Sequence, residues 1–236
     1  MGLPVISHPT FSLNLPSTQQ KITFRPFLVK EEKILLIAQS SEDQVDIIRA
    51  VKQVVSNCIT DSSISVEDFT TFDLEYFFIK LRAKSVQNII NLSYRDNEDN
   101  KVYEVAVNLD EVEVKQEKVV NNKIETTPTS GLFLRYPRVS IMNAAEMIDD
   151  AVEFNFFIMQ ACIEKIYSDG QEYNPDNFSK EEVREYIDSL DVTTYQKIQE
   201  FIEAMPRLEH TISYTNSNGK KVDIVLKTLT DFFTLG

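Results

Sequence analysis

The first thirty residues alternate. Phe11, Leu13 and Leu15 are separated by single polar positions, as are Ile22 and Phe24. A period of two is that of a half-buried strand, so 11–15 and 20–27 are predicted as two extended segments around Pro16-Ser17-Thr18-Gln19. Pro26 ends the second strand or confines it to an edge. The period then lengthens. Lys30 to Ala38 begins helical territory, Ser41 with Gln44 has the spacing of a capping box, and Val45, Ile48, Val51, Val55 and Ile59 supply a helical stripe behind it. Between Phe72 and Lys84, Leu74, Phe77, Phe78 and Leu81 share one helical face while Tyr76, Ile79 and Ala83 add a second, which predicts a helix covered on more than one side.

Strand patterns return at 89–94 and 102–109, around an Asn/Asp-rich turn at 96–100, and predict a central hairpin. Val112 and Val114 continue into a third strand, Asn121-Asn122 marks a reversal, and a short strand is expected from Leu132 to Tyr136. The longest helix is predicted from about Asn143 to Tyr167, stopped near Gly170. Its middle, Phe154 to Met159, is apolar almost all round. That suits a core helix, and an exposed version would be a protein-binding surface. Ser179 with Glu182 and Thr193 with Gln196 start two more helices, the last running to Ala204 before Pro206. A second hairpin spans 212–226, and its Ile212-Ser213-Tyr214 echoes Leu92-Ser93-Tyr94. The expected fold is α+β: N-terminal, central and C-terminal antiparallel hairpins packed with several helices, including a long apolar helix near 143–167. The chain is expected to form a single body over 1–236, with sub-domains at 1–138 and 139–236.

Charge changes this picture locally. The 236 residues carry 24 basic and 37 acidic side chains, a formal net charge of −13, and 13 of the acids lie between 146 and 191 against 3 bases. A chain so acidic is a poor nucleic-acid binder, because phosphate contacts need Lys and Arg. The acidic stretch reads either as a solvated face that keeps the protein soluble or as a docking face for a basic partner. No apolar run is long enough to cross a bilayer, so no membrane association is expected. The start lacks a secretory pattern, and Ile6 stands where myristoylation wants Ser or Thr.

Candidate chemistry is sparse. The five glycines are too dispersed for a phosphate-cradling loop. His8 and His210 have no neighbouring Cys or His, and Cys58 and Cys162 have the wrong spacing for zinc. The acidic loops starting at Asp96 and Asp169 fail the EF-hand pattern, with Lys101 and Asn174 where Gly is needed. The one metal or catalytic arrangement the acids offer is convergence of Asp149, Asp150, Glu153, Asp169 and Glu172. No catalytic residue, cofactor or metal is expected, and the chain reads as a non-enzyme.

Three strings carry a resemblance: Leu15-Pro16-Ser17-Thr18 leading into Ile22 to Lys33; Asp73-Leu74-Glu75-Tyr76 leading into Lys80 to Val86; and Pro206-Arg207-Leu208-Glu209-His210, followed by the C-terminal hairpin and Leu229-Thr230-Asp231-Phe232-Phe233. In this order they resemble the baseplate hub assembly proteins of T-even-type contractile-tailed bacteriophages. Some relatives of that kind carry Cys pairs at the hairpin turns, like a zinc knuckle. These turns hold Asp96 to Asn100 and Asn216 to Gly219, without Cys, so no zinc is implied there. The resemblance implies a late protein at work in the host cytoplasm, either an assembly helper or a hub subunit retained in the virion tail. It further implies binding to other hub proteins, self-association into a homo-oligomer being compatible. Residues placed in partner binding are Phe24, Arg25, Phe27, Lys30, Lys33, Lys80, Arg82 and Lys84. For Phe24 to Lys33 the alternatives are aromatics packed under a sheet with Arg25 and Lys30 solvated, or an exposed edge open to strand addition. For Lys80, Arg82 and Lys84 the alternative to partner binding is a polar helix face paired with Glu75 or Glu104.

Overall fold

The computed structural model describes residues 6–41, 43–145 and 147–232. Two compact units emerge: one from Met1–Lys115 together with Arg207–Gly236, the other from Gln116–Pro206.

The first unit begins with the hairpin β1 (Phe11–Asn14) and β2 (Lys21–Phe24), paired so that Phe11 faces Phe24 and Leu13 faces Ile22. Helices α1 (Val29–Ser41), α2 (Gln44–Cys58) and α3 (Thr71–Ser85) follow. α3 is the unit's central post. Thr70 and Asp73 form a full capping box at its start, and Phe72, Leu74, Phe77, Phe78, Ile79, Leu81 and Ala83 are all buried, as the two-faced apolar pattern requires. Phe77 meets Phe24 edge-on at 5.1 Å between centroids. Asp73 also accepts from the backbone N–H and the hydroxyl of Ser17, which fixes the β1–β2 turn over the helix start. β3 (Ile89–Arg95) and β4 (Val102–Asn108) form the central hairpin, and β5 (Glu113–Lys115) completes this segment.

The second unit is a four-stranded antiparallel sheet, in order β6 (Lys123–Thr127), β7 (Ser130–Leu134), β8 (Ile163–Ser168) and β9 (Gln171–Tyr173). With it go α4 (Met142–Ala145), α5 (Ala151–Cys162), α6 (Lys180–Asp188) and α7 (Val192–Glu203). Its core gathers Ile124, Leu132, Leu134, Met159, Ile163, Ile187, Ile198 and Phe201, with Tyr136 stacked on Phe201 at 4.7 Å. Gly131 is required in β7: a Cβ there would stand 2.3 Å from the Ile124 carbonyl and 2.5 Å from the Tyr167 hydroxyl. The chain then returns to the first unit with β10 (Arg207–Thr215) and β11 (Lys221–Leu226), and β10 lies between β11 and β5.

The α+β expectation and its three hairpins hold. Several boundaries move. The helix expected over 143–167 is α5 alone, capped by Asp150, whose carboxylate accepts from Val152 and Glu153 N–H. Ile163 to Ser168 leave the helix directly as strand β8, because β7 is there to pair with them. Gly170 is a hairpin residue rather than a helix stop: Asp169 and Gly170 take φ of 48° and 80° between β8 and β9. The middle of α5 is also less enclosed than its composition suggests, since Met159 is buried and Phe154 is 39% exposed. Two caps shift by two residues, to Asp43 before α2 and Asp191 before α7, because each carboxylate accepts from the following turn. The division at 138/139 is replaced by a nested one: β6 and β7 belong with the chain that follows them, and the C-terminal hairpin returns to pair with β5.

Candidate interaction surface

The residues placed in partner binding fall into two groups, both in the first unit. Around β2, Phe24 and Phe27 are buried. The edge of β2 is not free at Phe24, which bridges Ile59, while Arg25 N–H donates to the Cys58 carbonyl and Thr60 N–H to that of Thr23. Arg25 is not solvated either. Its guanidinium forks onto Glu31 at 3.0 and 3.3 Å and donates to the carbonyls of Pro26 and Asn57, both at 2.9 Å. Glu31 is wholly enclosed and also accepts from Leu28 N–H. Burial opposes its ionisation, but the Arg25 fork and the Leu28 N–H prevail and hold the carboxyl below its ordinary range. Arg25 is raised by its hydrogen bond to Glu31. The neighbouring Cys58 thiol is pushed up to about 11, chiefly by burial, so it stays protonated and unreactive.

What this fork positions is α1. With Glu31, Leu35 and Ala38 turned inward, Val29, Lys33, Leu36, Ile37 and Ser40 fall at helical spacing on its exposed side. Val29 is 86% exposed, Ile37 64% and Leu36 48%. Lys30 and Lys33 are exposed beside them, Lys30 lying 3.4 Å from Glu31. The outer side of α1 is therefore apolar at its middle and cationic at its start.

The α3 cations do structural work. Lys80 donates to the carbonyls of Leu109, Asp110 and Val112 at 2.7 to 3.1 Å and lies over the Tyr76 ring. Burial lowers its pKa. Arg82, also lowered by burial, donates to the Phe232 carbonyl at 2.9 Å. Lys84 pairs with Asp110 at 2.9 Å, and that hydrogen bond leads the causes that depress Asp110. Their expected partners, Glu75 and Glu104, are not the ones they meet.

A third arrangement joins the two hairpin turns. Asp96 Oδ1 accepts from Glu98 N–H and heads one turn; Asn216 Oδ1 accepts from Asn218 and Lys220 N–H and heads the other. Asn216 donates its side-chain N–H to both Asp96 and Glu98, Tyr214 donates to Asp96 at 2.9 Å, and Lys220 pairs with Glu98. Asp99 accepts from Tyr103, from Ser217 N–H and from the Ser217 hydroxyl. The rings of Tyr103 and Tyr214 stack at 4.6 Å. Hydrogen bonds from Ser217 and Tyr103 pull Asp99 far below the carboxylate range, while Tyr214 is pushed up to about 12, first by burial and then by Asp96. The echo of Ser-Tyr before each turn was the available sequence signal for this clasp.

The acids of 146–191 have partners of their own. Asp150 caps α5, Glu153 forks with Arg184 at 2.6 and 2.7 Å, Asp169 accepts from Thr129, and Glu172 pairs with Lys165. Among the described residues no group of three or more His, Cys, Asp or Glu is placed to hold a metal ion, and no helix is long and apolar enough to cross a membrane.

No curated protein and no solved structure matches this chain. The family model described as T4 bacteriophage base plate protein matches residues 8–234, a span that contains both units, the α1 surface and the turn clasp. The chain therefore belongs to the T4 bacteriophage base plate protein family.

Proposed function

We propose that this chain is a non-catalytic tail assembly protein that helps form the central hub of the baseplate, acting in the host cytoplasm as an assembly factor that binds other hub proteins. The observation that carries this reading is the outer side of α1. Leu36, Ile37 and Val29 stand exposed on a helix whose inner side is locked by the Arg25–Glu31 fork. A rigid apolar strip beside two lysines is an economical docking element, since covering Leu36 and Ile37 contributes on the order of 1–2 kcal/mol each with no folding cost. Lys30 and Lys33 would steer an acidic partner toward it.

Co-expression with the other hub proteins tests this. The wild-type chain should capture one or more of them, and Leu36→Glu with Ile37→Glu should reduce capture at least tenfold while the unfolding midpoint stays put. Mass spectrometry of purified virions should find no peptides from this chain. Stoichiometric peptides there would replace the assembly-factor reading with that of a hub subunit retained in the tail.

A further inference from the structure

The second unit holds a pocket that plays no part in the α1 reading. It has a volume of about 490 Å³ and is lined by Arg135, Arg138, Phe157, Asp176, Phe178 and Lys180, among others. The lining comes from the residues after β7, the 3-10 turn before α4, the body of α5, the Pro175–Asn177 turn and the first residue of α6. Two features set it apart from its surroundings. Its charge is inverted: three cations face one carboxylate, and that carboxylate, Asp176, is already 3.4 Å from Arg135. This occurs within the most acidic stretch of the chain, where the other bases are taken, Lys165 by Glu172 and Arg184 by Glu153. Lys180 lies over the Phe157 ring at 5.9 Å, and among the described residues it has no carboxylate at ion-pair distance. The second feature is apolar. Phe178 lines the pocket and is 45% exposed, beside Phe157 and Ile141.

From this charge complementarity we infer that the pocket receives a peptide segment of a partner protein in which a large apolar side chain is flanked by carboxylates. The apolar side chain covers Phe178 and Phe157, and the carboxylates meet Arg135, Arg138 and Lys180. Arginine is suited to such contacts because its planar fork matches a carboxylate. A small anion would satisfy the cations and leave Phe178 wet. The inference goes beyond the α1 reading and does not depend on it.

The test uses the full chain and fluorescence anisotropy with two labelled hexapeptides, Glu-Asp-Phe-Leu-Asp-Glu and Lys-Lys-Phe-Leu-Lys-Lys. The acidic peptide should bind, the basic one should bind at least tenfold more weakly, and raising the salt should weaken the former. Lys180→Glu keeps the Ser179–Glu182 capping box and adds an acid where a helix start favours one, so the variant folds. It should weaken the acidic peptide at least tenfold, and Phe178→Ala should do so at unchanged salt sensitivity. Equal binding of the two peptides, or acidic-peptide binding that neither substitution moves, would overturn the proposal. So would displacement of the peptide by an equimolar amount of benzoate, which would mark a small-anion site. Only wild-type and pocket variants enter this assay, so failure of hub-protein capture and failure of peptide binding are read separately.

Discussion

Asn216 donates its side-chain N–H to Asp96 across 3.4 Å, which ties together the heads of two hairpin turns that lie 120 residues apart. Both side chains are buried, at 4% and 5% exposure. Replacing Asn216 by Ala strips Asp96 and Glu98 of a donor and leaves the N–H groups of Asn218 and Lys220 without their acceptor. The expected cost is about 1–3 kcal/mol, with loss of near-UV dichroism from the stacked Tyr103 and Tyr214. An unchanged urea midpoint would show that the clasp is ornamental.

The same clasp sets an acid limit. Asp96 and Asp99 are depressed in the fold, Asp96 chiefly by Glu98 N–H and Asp99 chiefly by Ser217. A depressed carboxylate contributes stability that is complete above its unfolded value near 3.8 and is lost as the pH falls through the folded value. Melting temperature should therefore drop steeply below about pH 4, and Asp99→Asn should flatten that drop. Parallel curves for wild type and variant between pH 2 and 6 would contradict it.

Glu75 acts in the opposite sense. Burial, and then the charge of Asp231, push it up to about 7. A carboxyl raised in this way leaves stability intact below the unfolded value of 4.5 and removes it as the pH rises through 7. Glu75→Gln should therefore be silent at pH 4 and stabilising at pH 8, by about 2–3 kcal/mol. Urea titrations at the two pH values would check this, and the same gain at both would exclude the titration as its cause.

Arg25 and Glu31 form a pair in which one partner cannot be removed cheaply. Arg25→Ala leaves an enclosed carboxylate unpaired and should cost about 3–5 kcal/mol. Arg25→Lys should recover only part of this, because one ammonium cannot reach both carboxylate oxygens and the carbonyls of Pro26 and Asn57 together. Arg25→Met combined with Glu31→Leu should lie close to wild type in chemical denaturation. A double variant as unstable as Arg25→Ala would mean that the fork does more than neutralise itself.

Gly170 distinguishes two structures of one sequence. At the end of a long helix, Gly170→Ala would be neutral or stabilising. At φ of 80° between β8 and β9 it should cost about 1 kcal/mol or more, read from the thermal midpoint.

Local signals in this chain were legible where a side chain acts on its own neighbourhood. The strand alternation at Phe11 to Phe24, the apolar faces of α3 and the Ser179–Glu182 box all depend on residues a few positions apart. Long-range pairing was not legible in the same way. Ile163 to Ser168 continue an apolar helix until β7 offers them hydrogen bonds, and only Asp169-Gly170, a hairpin dipeptide, hinted at the reversal. Arg25 and Lys80 read as surface cations because their acceptors are mostly carbonyls, which any residue supplies. The α1 surface followed from its exposed spacing only after Glu31 was seen to turn inward. The pocket was out of reach, since its cations come from three separate elements.

Lys115 and Arg207 stand opposite each other as the end of β5 and the start of β10. Everything from Gln116 to Pro206 leaves and re-enters at that point. On the ribosome this reverses the order of completion: the unit begun second has its whole chain exposed and can close while the unit begun first still waits for β10 and β11. Until those last strands emerge, β5 has no partner and Asp96 has no Asn216 to meet. A nascent chain arrested near Pro206 would thus carry a finished inner unit inside an unfinished outer one, and the protein would become competent only when translation has nearly ended.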